Sequence, residues 1–113
     1  MATILDKLRL DGKVAIVTGA GRGLGRAMSI ALAEAGADIV AVARTLAQLE
    51  ETAQQVQATG RRCLVVPTDV TDSAQVNAMV EKAMAEFGRI DILLNNAAAA
   101  PASSRRRGRS GQT

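Results

Sequence analysis

The chain has 113 residues, of which 48% are hydrophobic, so it has the size of one small domain or of part of a larger one. Its net charge of +3 comes from Arg105, Arg106, Arg107 and Arg109, because without these four of its 14 basic residues the chain carries 10 against 11 acidic ones. The absence of histidine and the single cysteine, Cys63, argue against a disulfide framework and against a metal site. We expect Cys63 to be a small buried hydrophobic residue.

The beginning of the chain has no charged segment followed by an apolar one, which a secretory signal peptide requires. No apolar run in the sequence approaches the length that spans a membrane. We therefore expect a cytoplasmic protein without a membrane partner.

Short apolar runs alternate with amphipathic stretches after an N-terminal extension at residues 1–9. The apolar runs predict β-strands, because aliphatic and β-branched residues follow one another with little polar interruption. They cover 13–18, 38–43, 63–67 and 90–94. The amphipathic stretches repeat apolar residues at helical spacing and predict helices. They cover 24–35, 45–59 and 72 or 73 to 87.

Polar residues and glycines mark the ends of the predicted helices. Thr45 and Gln48 have the spacing of a capping box at the start of the second helix. Asp72 or Ser73 is expected to cap the third helix. A glycine follows the last apolar position of each helix, which is typical of a helix C-terminus. These glycines are Gly36, Gly60 and Gly88.

The alternation of strands and helices predicts an α/β fold. Continuously apolar strands indicate a parallel sheet that is covered on both faces. Right-handed crossovers then give a partial Rossmann-like, doubly wound sheet of four strands and three helices, in the strand order 3-2-1-4. The first two helices would cover one face of this sheet and the third helix the other. The fourth strand would be an apolar edge, for which we expect self-association of the chain.

A glycine-rich octapeptide, residues 18–25, lies between the first predicted strand and the first predicted helix, and we call it the glycine turn. Such a turn presents unpaired backbone N–H groups at a helix N-terminus, where the helix dipole favours a pyrophosphate. Gly19 would allow the sharp exit from the strand, Gly23 the close approach of phosphates, and Gly25 the close packing of the helix. Leu24 stands where the common G-x-G-x-x-G pattern has its last glycine, so an ordinary glycine-rich turn is the alternative.

Three motifs, taken in order, resemble the N-terminal half of the short-chain dehydrogenase/reductase family. The family's Thr-Gly-x-x-x-Gly-x-Gly pattern is matched by Thr18, Gly19, Gly23 and Gly25. Its acidic residue after the third strand is matched by Asp69, which is followed by Val70. Its Asn-Asn-Ala-Gly sequence at the end of the fourth strand is nearly matched by Asn95, Asn96, Ala97 and Ala98.

The resemblance implies that residues 10–98 are a partial NAD(P)-binding domain, with the cofactor across the carboxyl ends of the strands. The implied neighbours of its phosphates and ribose are Gly19, Arg22, Gly23 and Leu24, together with Gly25. The implied neighbours of the adenine are Asp69 and Val70. Asn96 and Ala97 are implied to lie beside the ribose, and Asn95 to hold adjacent strands together. Without the other motifs, the aspartate would be interpreted as a cap and the asparagines as a turn.

The form of the cofactor depends on the end of the second strand. In dinucleotide-binding folds an acidic residue there bonds the ribose hydroxyls and repels a 2′-phosphate. This chain has Ala43 and Arg44 at that point, and Arg22 in the glycine turn is a second cation. We therefore predict a preference for NADP(H) over NAD(H), with two merely solvated arginines as the alternative.

The family's catalytic residues have no counterparts in this sequence. The resemblance implies a tyrosine acid/base, a lysine four residues later and a serine, all beyond the fourth strand. The chain has no tyrosine, and its lysines, which are Lys7, Lys13 and Lys82, all precede that strand. We therefore predict a cofactor-binding half of an oxidoreductase that is catalytically inactive as given.

Residues 99–113 lack the patterns of the preceding chain and are predicted to be an Arg-rich disordered tail. The abrupt change suggests truncation with an altered reading frame, or a gene fragment. The arginines would give weak, salt-sensitive attraction to phosphates but no specific nucleic-acid binding. The alternatives to an oxidoreductase fragment are a non-catalytic dinucleotide-binding module and a basic-tailed interaction protein.

Overall fold

The structure is a computed structural model that describes residues 9–96. Within this range it has all seven predicted elements, each starting and ending within two residues of the predicted bounds. The strands are β1 (Val14–Thr18), β2 (Asp38–Ala43), β3 (Cys63–Pro67) and β4 (Ile92–Asn95). The helices are α1 (Gly23–Glu34), α2 (Leu46–Gln57) and α3 (Ser73–Phe87). The predicted tail at residues 99–113 lies outside the described residues.

The strands of the described region form one parallel sheet in the order β3-β2-β1-β4, as predicted. In the register, Val17 of β1 is paired with Ala41 of β2 on one side and with Leu94 of β4 on the other. The two central strands are almost wholly buried, because helices cover both of their faces. A parallel sheet covered in this way accounts for the uninterrupted apolar runs in the sequence.

Two apolar clusters lie on opposite faces of the sheet. On one face, Ala33 of α1 and Leu49 of α2 belong to a buried cluster that includes Val17. On the other face, Met79 of α3 packs into a cluster that includes Ile16. Neighbouring strand residues point to opposite faces, so β1 contributes to both clusters. The prediction that two helices share one face and α3 covers the other is confirmed.

The helix ends agree with the predictions at α3 but not at α2. The side chain of Asp72 caps α3 by accepting hydrogen bonds from the backbone N–H groups of Ala74 and Gln75. The capping box predicted at α2 is wrong, because Thr45 occupies the N-cap position without a side-chain hydrogen bond. The Gln48 side chain lies against the glycine turn instead, close to the position that a Cβ on Gly21 would take.

None of the helices in residues 9–96 is long and apolar enough to cross a membrane. The described residues also bring together no group of three or more potential metal ligands.

Candidate functional site

The carboxyl ends of the parallel strands meet at one edge of the sheet, where ligands bind in open α/β folds. At this edge β1 enters the glycine turn and β2 is followed by Arg44. The segment after β3 contains Asp69, and β4 ends in Asn95 with Asn96 following. The topology therefore brings the separate motifs of the sequence to a common edge.

The glycine turn depends on glycine at positions with two different requirements. Gly19 and Gly23 have φ angles of +66° and +56°, in the left-handed region that residues other than glycine rarely adopt. Gly25 is required for space, because a Cβ there would lie 1.9 Å from the carbonyl oxygen of Gly19. The helix thus starts directly against the end of β1, as predicted for Gly25. A Cβ on Gly23 would meet no atom within 4 Å, so the space above that residue is open.

The turn presents hydrogen-bond donors that have no partner in the described part of the chain. Among residues 9–96, the backbone N–H groups of Gly21 and Arg22 donate to no protein acceptor. The first N–H groups of α1 also lack partners within the helix, and the helix dipole adds partial positive charge at this end. No acidic side chain lies in the first turn of α1. The arrangement favours an anion such as a phosphate.

Thr18 links the glycine turn to the end of β4. Its Oγ1 donates to Oδ1 of Asn95 at 2.8 Å and accepts from the backbone N–H of Asn96 at 3.0 Å. The Asn95 side chain therefore adds a bond between β1 and β4 to the backbone pairing of the two strands. Asn96 is brought against the turn, with its Nδ2 3.1 Å from the position that a Cβ on Gly25 would take. Ala97, the other residue implied beside the ribose, lies outside the described residues.

Arg44 and Asp69 form an ion pair across the ends of β2 and β3. Nη2 of Arg44 lies 3.4 Å from Oδ1 of Asp69, and the arginine side chain remains 73% exposed. The same carboxylate accepts hydrogen bonds from Oγ1 and the backbone N–H of Thr71, at 2.6 and 3.0 Å. These bonds, above all the one from the Thr71 hydroxyl, and the nearby arginine lower the pKa of Asp69 from the ordinary value of an aspartate. Asp69 is therefore a carboxylate at neutral pH. The sequence did not predict this pair.

The other predicted site residues are present at the same edge but differ in exposure. Arg22 is exposed at the N-cap of α1, and Leu24 is largely exposed in its first turn. Val70 is half-buried and packs against the cluster beneath α3. The structure thus brings one of the two predicted cations, Arg44, into contact with the carboxylate predicted beside the adenine.

Arg26 and Thr52, which sequence reasoning did not single out, connect the glycine turn to α2. Nε of Arg26 donates to Oγ1 of Thr52 at 2.9 Å. Its Nη2 lies within hydrogen-bonding distance of the carbonyl oxygens of Gly21 and Gln48 and of Oε1 of Glu51. The Thr52 hydroxyl donates to the carbonyl oxygen of Ala20 at 2.8 Å. An arginine on a predicted helix is ordinarily expected to face solvent, so the sequence around Arg26 does not indicate that it contacts Thr52.

The donor set of this site fits the pyrophosphate of a dinucleotide. Open space above Gly23, unused N–H groups at Gly21 and Arg22, and a helix N-terminus together suit a pyrophosphate. Polar groups at the ends of β2, β3 and β4 lie at the same edge, where the nucleoside portions of such a ligand would extend.

Comparisons with known proteins agree with this geometry. The family model described as short chain dehydrogenase matches residues 13–110. A 2-dehydro-3-deoxy-D-gluconate 5-dehydrogenase of Dickeya dadantii is 50% identical over 94 residues, which are 83% of this chain and 36% of that protein.

Solved structures of similar proteins have the same fold. A hydroxysteroid dehydrogenase from Escherichia coli superimposes with a TM-score of 0.77 at 36% identity, over 80% of this chain and 38% of that one. Carveol dehydrogenase from Mycobacterium avium, solved in complex with NAD, gives a TM-score of 0.76 at 36% identity, over 79% of this chain and 36% of that one. The chain therefore spans little more than a third of the length of these proteins. The family match and these similarities show that the chain belongs to the short-chain dehydrogenase family.

Proposed function

We propose that residues 10–98 are the NADP(H)-binding half of a cytoplasmic oxidoreductase. In the intact family member, hydride would pass between NADP(H) and a carbonyl or alcohol substrate. The observation that carries this proposal is the glycine turn at the start of α1, where the N–H groups of Gly21 and Arg22 donate to no acceptor among residues 9–96. Membership of an oxidoreductase family supports the reaction class.

The residues at the edge of the sheet would divide the cofactor among them. Backbone groups of Gly19, Arg22, Gly23 and Leu24 would hold the phosphates and the adjoining ribose, and the missing Cβ of Gly25 allows the helix to start against that turn. Asp69 and Val70 would flank the adenine. Asn96, which lies against the turn, and Ala97 would lie beside the ribose. When bound, the nicotinamide supplies the hydride chemistry.

The 113 residues would bind the dinucleotide without catalysing its reaction. The sequence has no tyrosine to donate a proton to a substrate oxygen. Hydride transfer also requires a positioned substrate, and the residues that would line a substrate pocket have no match here. We therefore propose that catalysis requires a complementary part of the family fold, as expected for a fragment.

The preference for NADP(H) is proposed from the charges at the end of β2. Arg44 is mostly exposed, and its 3.4 Å contact with Asp69 leaves its guanidinium accessible to a 2′-phosphate. A charge-assisted hydrogen bond contributes about 1.5–3 kcal/mol, which corresponds to at least about a tenfold preference. Arg22, exposed at the start of α1, would add to the attraction.

Titration of the full chain with NADPH and with NADH tests this proposal. We expect NADPH to bind at least about tenfold more tightly, and Arg44→Ala to remove most of that difference. Arg62→Ala is the matched control, because Arg62 also pairs with a carboxylate, that of Glu86 at 3.5 Å. It lies at the amino end of β3, whereas the proposed site lies at the carboxyl ends of the strands. The same samples should not oxidise NADPH when carbonyl compounds are added.

Each outcome of the titration distinguishes between the hypotheses. Equal affinity for the two nucleotides, or an unchanged preference in Arg44→Ala, would contradict the proposed NADP(H) preference. No measurable binding of either nucleotide would overturn the dinucleotide site and would favour a basic-tailed interaction protein.

A further inference from the structure

Two peptide groups of the glycine turn are held by side chains outside it. The carbonyl oxygen of Ala20 accepts from Oγ1 of Thr52, and that of Gly21 accepts from Nη2 of Arg26. Arg26 belongs to α1 and Thr52 to α2, and the two side chains are also hydrogen-bonded to each other at 2.9 Å. A small hydrogen-bond network that joins α1 and α2 therefore holds two carbonyl groups of the turn in place.

The two side chains at the centre of this network are mostly buried. Thr52 is fully buried, and the Arg26 side chain is only 22% exposed. Glu51 lies 3.1 Å from Nη2 of Arg26 and balances its charge. Because Nε and Nη2 of Arg26 are engaged by protein oxygens, we assign this arginine to the shape of the turn rather than to direct binding of a phosphate.

The network also determines the direction of the unused donors. In a trans peptide the C=O and the following N–H point in opposite directions. The described residues contain no cis peptide bond. Since the Ala20 and Gly21 carbonyls point toward Thr52 and Arg26, the N–H groups of Gly21 and Arg22 point away from those two side chains.

Close packing leaves the turn little freedom to reorient. A Cβ on Gly21 would lie 3.0 Å from both Cβ and Oε1 of Gln48, so the backbone of the turn lies directly on α2. We propose that Arg26 and Thr52 are positioning residues, which orient the N–H groups of Gly21 and Arg22 toward the pyrophosphate of the cofactor. This inference rests on the dinucleotide binding proposed above.

The experiment compares ligands with and without a pyrophosphate. ADP carries the pyrophosphate, whereas adenosine 2′-monophosphate lacks it and would occupy only the adenosine end of the site. Both ligands are titrated into the full chain. Thr52→Val removes the hydroxyl while retaining the β-branched shape, and Thr52→Ser retains the hydroxyl. Arg26→Lys retains the charge but cannot reproduce the guanidinium contacts.

We expect Thr52→Val and Arg26→Lys to weaken ADP binding about tenfold and to change binding of the 2′-monophosphate by less than about twofold. Thr52→Ser should restore ADP binding. Thr59→Val is the matched control, because the Thr59 hydroxyl donates to the Val56 carbonyl just beyond the other end of α2. It should leave the affinity for both ligands unchanged.

Several results would overturn the inference. If the unmodified chain binds ADP and both variants bind it equally well, the positioning role is wrong while the proposed function remains. Equal loss of both ligands in a folded variant indicates general damage and also contradicts the role. If the unmodified chain binds neither ligand, this inference and the proposed function fail together. If thermal unfolding shows that Thr52→Val is unfolded, the test rests on Arg26→Lys. A loss of ADP affinity that exceeds its loss of 2′-monophosphate affinity then supports the positioning role, and equal losses contradict it.

Discussion

Gly25 occupies a position at which the backbone of the helix touches the backbone of the preceding turn. The position of its absent Cβ is 1.9 Å from the Gly19 carbonyl oxygen, which is far below van der Waals contact. Backbone atoms on both sides of this contact belong to regular structure or to the constrained turn, so neither can move without disturbing the other. Asn96 packs at the same point, with its Nδ2 3.1 Å from the Cβ position.

A single methyl group at this position tests the argument. We expect Gly25→Ala to lower the free energy of unfolding by more than about 3 kcal/mol, because it overpacks a backbone contact, and to abolish dinucleotide binding. Gly60→Ala is the control, since a Cβ there meets nothing within 4 Å and the cost comes only from its φ of +92°. That cost should be about 1–2 kcal/mol, with binding retained. Denaturant unfolding measures both values, and equal destabilisation by the two variants would contradict this interpretation.

The N-termini of α2 and α3 show how two similar sequence signals have different outcomes in the fold. Thr45 and Asp72 both precede a helix and both have extended backbone angles suited to an N-cap. Only the Asp72 side chain accepts hydrogen bonds from the first turn, at 3.0 Å from Ala74 and 3.3 Å from Gln75. At α2 the capping-box partner Gln48 packs against Gly21 instead. At α2, therefore, Thr45 makes no side-chain cap and Gln48 contacts the glycine turn.

The two caps should differ in their contribution to stability. We expect Asp72→Ala to lower the free energy of unfolding by about 1 kcal/mol, because it removes the acceptor for two backbone N–H groups. Thr45→Ala should change it by less than about 0.3 kcal/mol, since the hydroxyl makes no capping bond. Chemical denaturation of both variants provides the comparison. A larger loss for Thr45→Ala than for Asp72→Ala would show that the observed difference in capping has no energetic consequence.

At the scale of the whole molecule, β4 forms one edge of the four-stranded sheet of the described residues. Leu93 on this strand is 64% exposed, and Val80 and Met84 of α3 are also exposed. An apolar groove of about 290 Å³ adjoins the strand, with Leu93 and Val80 in its lining. Exposed apolar edges of this kind pair with other chains. The expected self-association is therefore assigned to the β4 side of the sheet.

Reducing the apolar character of this edge should reduce self-association of the chain. We expect Leu93→Thr, which retains a residue suited to a strand, to weaken association by at least about tenfold, since apolar burial is lost. Leu46→Thr is the matched control, because Leu46 is also exposed but lies at the start of α2. Sedimentation velocity over a range of concentrations measures the effect. A chain that remains monomeric and melts in one sharp transition would contradict the expectation.

The sequence by itself determined the order and type of the elements in residues 9–96. Uninterrupted apolar runs specified the buried strands, and apolar residues at helical spacing specified α1 to α3. The rule that crossover connections between parallel strands are right-handed specified the strand order. Glycine at positions 19, 23 and 25 was equally readable, since its roles follow from one local turn. These features are predictable because each depends on neighbours in sequence or on a general rule of chain topology.

Only the tertiary structure decided which side chains meet at the site. Arg26 and Thr52 are 26 residues apart in the sequence, yet a 2.9 Å hydrogen bond joins them. Arg44 and Asp69 are 25 residues apart and also form a pair. Thr18 joins Asn95 across 77 positions. Such contacts depend on how α1, α2 and the strand ends are placed relative to one another, and periodicity carries no information about that placement. The same packing moved Gln48 away from its expected cap, because contact with the glycine turn determines where its side chain lies.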